Sequence, residues 1–165
     1  RAETIRAAIA SESERCDGQA DCPESLFQEL VDLVESPSVL KGRIADRFLE
    51  LPPEVIVTVM QAHQRYVPLR IPQAVSDPLQ LQARNVLKPE FLLVSNGVES
   101  ASDTIVSGNQ RVLGARLADA EFFLNVDRRQ SSEQRRQSLE RVTFAEGLGS
   151  KMKIAQLQCH PRPVW

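Results

Sequence analysis

Aromatic residues are scarce in this 165-residue sequence: six Phe, one Tyr and one Trp, or 5%. So few rings leave little material for the broad base-stacking platforms that single-strand binders build. No run of about 18 apolar residues occurs, which excludes a membrane-spanning helix of ordinary length. Cysteine is also rare. Cys16, Cys22 and Cys159 make an odd count in a chain long enough to fold without staples, which predicts free thiols in a reducing, cytoplasmic setting. A zinc site gains little support, because five residues separate Cys16 from Cys22 and Cys159-His160 adjoins the chain end. No metal is expected. Phosphate-cradling loops of the G-x-x-x-x-G-K-[ST] or strand–G-x-G-x-x-G type are missing, and Gly147-Leu148-Gly149 is only a weak lookalike. No nucleophile elbow, metalloprotease helix or paired-carboxylate motif is found.

What is present is a globular composition, 42% hydrophobic and 25% charged, enough for one domain with a core. Charge is unevenly placed. Residues 1–60 carry 6 basic and 12 acidic groups, and residues 61–165 carry 14 and 10, so the chain runs from -6 to +4 for a total of -2. The second half is the better candidate to meet an anion. Sixteen of the 20 cations are Arg, the side chain suited to bidentate phosphate contact. The opening Arg1-Ala2-Glu3 is neither an initiator methionine nor a signal peptide and predicts a segment of something longer.

Periodicity predicts an α+β fold, a small antiparallel sheet packed with several helices, as one domain over residues 1–158 with 159–165 a tail. Ala2, Ile5, Ala8 and Ile9 mark a first amphipathic helix, ending in a loop at Cys16-Asp17-Gly18-Gln19. Asp21-Cys22-Pro23 starts a second, with Leu26, Leu30, Leu33 and Val34 turned inward. Val39-Leu40 predicts a short strand, Gly42 a turn, and Asp46 the cap of one helical turn. At 53–63 the β-branched run argues for strand, but Pro53-Glu54 at its front is a helix start, and helix is preferred. Residues 65–71 alternate as a strand, with Pro68 assigning it to an edge, and Phe91–Ser95 is its partner across a Pro-rich connection at 72–88. After the turn signal Ser95-Asn96-Gly97, Asp103 caps a long helix near 103–126 carrying Ile105, Val106, Val112, Leu113, Leu117, Ala120 and Leu124. Gly108 and Gly114 interrupt it, each at a cost of about 1 kcal/mol against Ala unless close packing or a ligand requires a missing side chain. A last helix opens at Ser131, with Gln134 in capping-box register, and runs toward Phe144.

Three places are dense in polar chemistry. In Gln61-Ala62-His63-Gln64-Arg65-Tyr66, at a helix-to-strand junction, His63 is able to act as acid, base or donor. A lone His without a placed nucleophile is the plainer, structural alternative, and strand alternation lets only one of Arg65 and Tyr66 share its side. On the long helix, Asn109, Arg116 and Phe123 fall on nearby faces and Arg111, Asp119 and Phe122 on another row. Arginines so placed suit a phosphate, against the alternative that they pair with acids of their own helix. Arg128, Arg129, Arg135, Arg136 and Arg141, among Asp127, Glu133 and Glu140, leave a mild positive excess, suited to an RNA backbone or to a solvated face.

Three stretches together carry a resemblance: Phe48-Leu49-Glu50-Leu51-Pro52-Pro53-Glu54-Val55 leading to Met60-Gln61-Ala62-His63-Gln64-Arg65-Tyr66; Val94-Ser95-Asn96-Gly97; and Gly108-Asn109-Gln110-Arg111-Val112-Leu113 through Arg116-Leu117-Ala118-Asp119-Ala120-Glu121-Phe122-Phe123. In this order and spacing the chain resembles the β subunit of bacterial heterotetrameric glycyl-tRNA synthetase, from about Ile5 to about Gln158. The resemblance implies an internal piece of the N-terminal half of that subunit, similar to the editing-type module of the phenylalanine enzyme's large subunit. It implies a cytoplasmic α2β2 ligase whose partners are the α subunit and the tRNA for glycine, with no membrane and no DNA. It places glycine activation, with ATP and Mg2+, on the α subunit, so no cofactor is expected in this segment. No catalytic residue comes with the motifs. The expected tRNA-binding residues are Arg65, Arg111 and Arg116 for phosphates, with His63, Gln64 and Asn109 orienting. An editing-type hydrolase acting on mischarged tRNA through His63, and a pure scaffold, are the other two readings. Residues 159–165 depart from the family pattern, and the 72–88 connection is longer than usual.

Overall fold

The computed structural model describes residues 1–72, 74, 82–96, 99–145 and 149–151. Two compact units divide the chain, Arg1–Glu121 and Phe122–Trp165. The first unit holds α1 (Ala2–Arg15), β1 (Gln19–Ala20), α2 (Glu24–Leu33), β2 (Ser38–Arg43), a 3-10 turn at Asp46–Glu50, and α3 (Pro53–Thr58), which continues as a π turn over Val59–Gln64. β3 (Val67–Arg70), β4 (Leu87–Ser95) and most of α4 (Ser102–Arg128) follow, with 3-10 turns at Ala83–Asn85 and Glu99–Ala101. In the second unit lie the last turns of α4, α5 (Ser132–Ser138), a 3-10 turn at Leu139–Arg141, and the paired β5 (Thr143–Ala145) and β6 (Gly149–Ser150). The fold is α+β, with a small antiparallel sheet and one long helix of 27 residues.

The four strands of the main sheet run antiparallel in the order β1-β3-β4-β2. Alternation of side chains sorts their apolar residues into two layers. Val67, Leu69 and Leu92 join Ile5, Ile9, Leu26 and Leu30 of α1 and α2 in one buried cluster. Each such aliphatic group contributes about 1.5–3 kcal/mol when fully buried. Phe91 lies in the other layer, opposite Gly42 of β2 and Pro68 of β3. Its ring covers Gly42, where a Cβ atom would come within 2.4 Å of Phe91 Cζ. Tyr66 stacks on the same ring, with centroids 5.0 Å apart.

Several expectations are corrected. Gly42 is no turn; it sits inside β2, kept bare by the Phe91 ring. Pro68 is not on an edge strand, since β3 lies between β4 and β1. It is tolerated because β1 is only two residues long, and beyond it Pro68 needs only its carbonyl, which accepts the Asp21 N–H at 2.9 Å. The predicted loop at 16–19 ends in that unforeseen strand. Leu33, expected inside, is 65% exposed, while Val34 turns inward just past the helix end. On α4 only Leu113 and Leu117 are buried, and Val112 faces out. Asp103 is an acidic residue of the first turn, one position inside the helix start at Ser102. The Ser131 capping box forms, with Ser131 Oγ accepting from Gln134 N–H at 3.2 Å, but α5 stops at Ser138 and Thr143–Ala145 is strand. Expectations for Gly97, Gly147-Leu148, residues 73 and 75–81 of the 72–88 connection, Cys159 and the 159–165 tail lie outside the described residues.

Candidate nucleic-acid interface

The junction between α3 and β3 positions the first polar group. After the wide π turn the Tyr66 N–H reaches back to the Met60 carbonyl at 3.0 Å, and Arg65 takes a left-handed conformation with φ 56° to make the bend. Arg65 is therefore no strand residue, and the alternation argument that separated it from Tyr66 does not apply. Gln64, Arg65 and Tyr66 line one pocket of about 360 Å3, together with Asn96 and Asn109. Its geometry rests on a short chain of hydrogen bonds. The Tyr66 hydroxyl donates to Asn109 Oδ1 at 2.6 Å, and Asn109 Nδ2 donates to the Ile105 carbonyl at 2.7 Å. Burial pushes the Tyr66 hydroxyl above its ordinary pKa, so it stays a donor. Asn96 Oδ1 accepts from the N–H groups of Glu35 and Ser36 at 3.1 and 2.8 Å, which fixes the strand end beside the pocket.

Several cations in this unit are held by acids. Arg65 Nε holds Glu29 at 2.8 Å and its Nη1 donates to the Ala62 carbonyl at 2.7 Å. Arg70 holds Asp21 at 2.6 Å, Arg43 bridges Asp46 and Glu90, and Arg84 pairs with Glu50. Arg111 and Arg116 are different: both are exposed on α4, and neither makes an ion pair among the described residues. The alternative of a helix whose arginines pair with their own acids is thus not what α4 does. Arg111 lines a second pocket, of about 510 Å3, between α4 and the Arg43–Phe48 turn. Gln110 lies beside it, and its Oε1 accepts the Arg43 N–H at 2.7 Å.

Of the six residues expected to contact tRNA, the fold thus gathers Gln64, Arg65 and Asn109 around one pocket and sets Arg111 at another. Arg116 stands outside both, and His63 is exposed with no side-chain hydrogen bond among the described residues. Sequence reasoning passed over Gln110 and undervalued Tyr66 and Asn96. Their partners lie 43 to 67 residues away, beyond any local signal. In the second unit Arg136 pairs with Glu133 at 2.7 Å, and that bond holds the Glu133 carboxyl below its usual range. Arg135 caps the Asp127 and Gln130 carbonyls at 2.8 and 3.2 Å, whereas Arg128, Arg129 and Arg141 make no ion pair among the described residues. Among those residues no group of three or more His, Cys, Asp or Glu is placed to hold a metal ion.

Residues 1–158 match the family described as glycyl-tRNA synthetase beta subunit. The chain belongs to that family. Relatives named glycine–tRNA ligase beta subunit support the assignment. The one from Picosynechococcus is 41% identical over 150 residues, 91% of this chain and 20% of the relative. That of Natranaerobius thermophilus is 37% identical over 159 residues, 96% and 22% respectively, and that of Chromohalobacter salexigens 38% over 156 residues, 94% and 21%. The chain spans about a fifth of the length of the curated relatives it matches. Both pockets and all six candidate residues fall inside this glycyl-tRNA synthetase β-subunit match. No helix among the described residues is long and apolar enough to cross a membrane.

Proposed function

We propose that this chain is a non-catalytic part of the β subunit of a cytoplasmic glycine–tRNA ligase, in which it binds the tRNA backbone and supports assembly with the α subunit. The observation that carries the reading is the pair Arg111 and Arg116, exposed on α4 without partners among the described residues, while Arg43, Arg65, Arg70 and Arg84 are all engaged with acids. An unpaired guanidinium is free for bidentate contact with a phosphate. Arg65, tied to Glu29 and the Ala62 carbonyl, serves better to hold the bend beside the pocket than to reach for RNA. Gln64 and Asn109 border that pocket as orienting groups. Among the described residues the His63 side chain has no hydrogen-bonded partner to orient its ring, which weighs against a hydrolase acting through it. ATP, Mg2+ and glycine are handled by the α subunit in this reading.

The test is a titration of glycine tRNA with the parent β subunit carrying Arg111→Ala and Arg116→Ala. Affinity is expected to fall about tenfold or more at moderate salt. The slope of log affinity against log salt should shrink by about 1 for each phosphate no longer neutralised. Unchanged affinity and slope, in a variant that still assembles with the α subunit, would assign both arginines to scaffolding.

A further inference from the structure

Gly114 has no reason within the described residues to be glycine. Glycine weakens a helix interior relative to alanine, yet a Cβ atom at Gly114 would meet no atom within 4 Å. Gly42 is the contrast, where Phe91 forbids one. Gly114 lines the 510 Å3 pocket between α4 and the Arg43–Phe48 turn. Ser107, Gln110 and Arg111 line it too, and spacings of three, four and seven residues set all four on one side of the helix. Their polar groups are largely uncommitted. Among the described residues Arg111 has no acidic partner, the Ser107 hydroxyl makes no hydrogen bond, and Gln110 uses its carboxamide oxygen on the Arg43 N–H while its NH2 group stays free. Beneath them the floor is apolar, from Ile44, Phe48 and Leu113.

Asp46 also lines the pocket, its charge offset by Arg43 at 3.0 Å. A free cation and two free donors over an apolar floor, in a pocket within the usual ligand range, suit an anion joined to a ring system bearing hydroxyls. We propose that this pocket receives one unpaired nucleotide of the bound RNA. Arg111 takes its phosphate, Ser107 and Gln110 take the sugar hydroxyls or base edge, and the bare Gly114 leaves the room the ring needs. Contact with the 2′-hydroxyl is the means by which such a site tells RNA from DNA. The inference rests on the tRNA-binding reading above and adds a place and a ligand to it.

Gly114→Leu in the parent β subunit, assembled with its α subunit, tests it. Leucine favours helix, so the melting temperature should hold or rise, while its side chain occupies the pocket. Labelled glycine tRNA is expected to bind at least about tenfold more weakly, and chemical probing should lose its protection at one or two adjacent nucleotides. Arg116→Ala, outside the pocket, should weaken binding yet keep that local protection. Wild-type affinity and footprint in Gly114→Leu, with Arg111→Ala and Arg116→Ala still impaired, would overturn the pocket and leave the RNA reading intact. No effect from any of these variants would overturn both. Loss of the α subunit with tRNA binding unchanged would mean that the pocket takes a protein segment, and would also overturn the proposal. Should the leucine lower the melting temperature, Ser107→Ala decides instead. It is expected to weaken tRNA binding about threefold at unchanged stability, and full affinity would refute the site.

Discussion

Phe91 is the residue on which the second layer of the sheet is built. It is fully buried, covers Gly42 and carries the Tyr66 ring that in turn holds Asn109. Gly42→Ala should therefore cost about 1–3 kcal/mol in chemical denaturation, since the ring must move to admit the methyl. Tyr66→Phe keeps the stack but leaves Asn109 Oδ1 without its donor, and about 1 kcal/mol of stability should go with it. The pH dependence follows from the raised pKa. Below the ordinary value of 10.0 both folded and unfolded Tyr66 are protonated and the contribution is complete. As pH rises through 10.0 and on toward the folded value, the unfolded state ionises first and stability falls. That alkaline decline should be shallower in Tyr66→Phe, measured by urea titration at stepped pH. Residue chemistry of this kind was half legible. The motif run around Asn109 marked it as a polar group of interest, but nothing near it announced Tyr66, and a glycine in a β-branched neighbourhood read as a turn because the ring above it belongs to a distant strand.

Among the elements, α4 departs furthest from an ordinary packed helix. Only Leu113 and Leu117 are buried along its 27 residues. Gly108, like Gly114, has open space where a Cβ would stand. Gly108→Ala should accordingly raise global stability by about 1 kcal/mol, read from the denaturation midpoint. No change or a loss would mean that the glycine is needed for the conformation of the free chain. Helices α1 and α2 were readable because apolar spacing and a proline start are local signals. β1 was not, because two residues carry no alternation, and its position is fixed by pairing with β3. The π turn escaped for a related reason: the pattern at 53–63 specifies helix, while the widening is set by the Tyr66 N–H reaching Met60.

For the whole molecule, the uneven charge of the two halves has a use that counting does not reveal. Arg65, Arg70, Arg84 and Lys88 of the basic half pair with Glu29, Asp21, Glu50 and Asp17 of the acidic half. Much of the asymmetry is thus consumed in folding, and among the described residues the cations of the basic half that lack an acidic partner all lie on α4 and beyond it. The buried apolar residues all precede residue 118 among those described. A chain ended at Glu121 should therefore unfold cooperatively, within about 1 kcal/mol of the longer chain, when both are compared by urea titration. A broad, non-cooperative transition would show that the core draws on residues beyond Glu121. The two outer strands of the main sheet carry a separate consequence, for solubility. β1 ends after two residues, and the strand beside it offers a proline at the next position; on the far side Gln110 occupies the Arg43 N–H, and Lys41 and Arg43 charge the rim. Neither margin presents a long bare row of donors, so the sheet resists templated growth into fibrils by side-chain obstruction, without a further strand added in its defence.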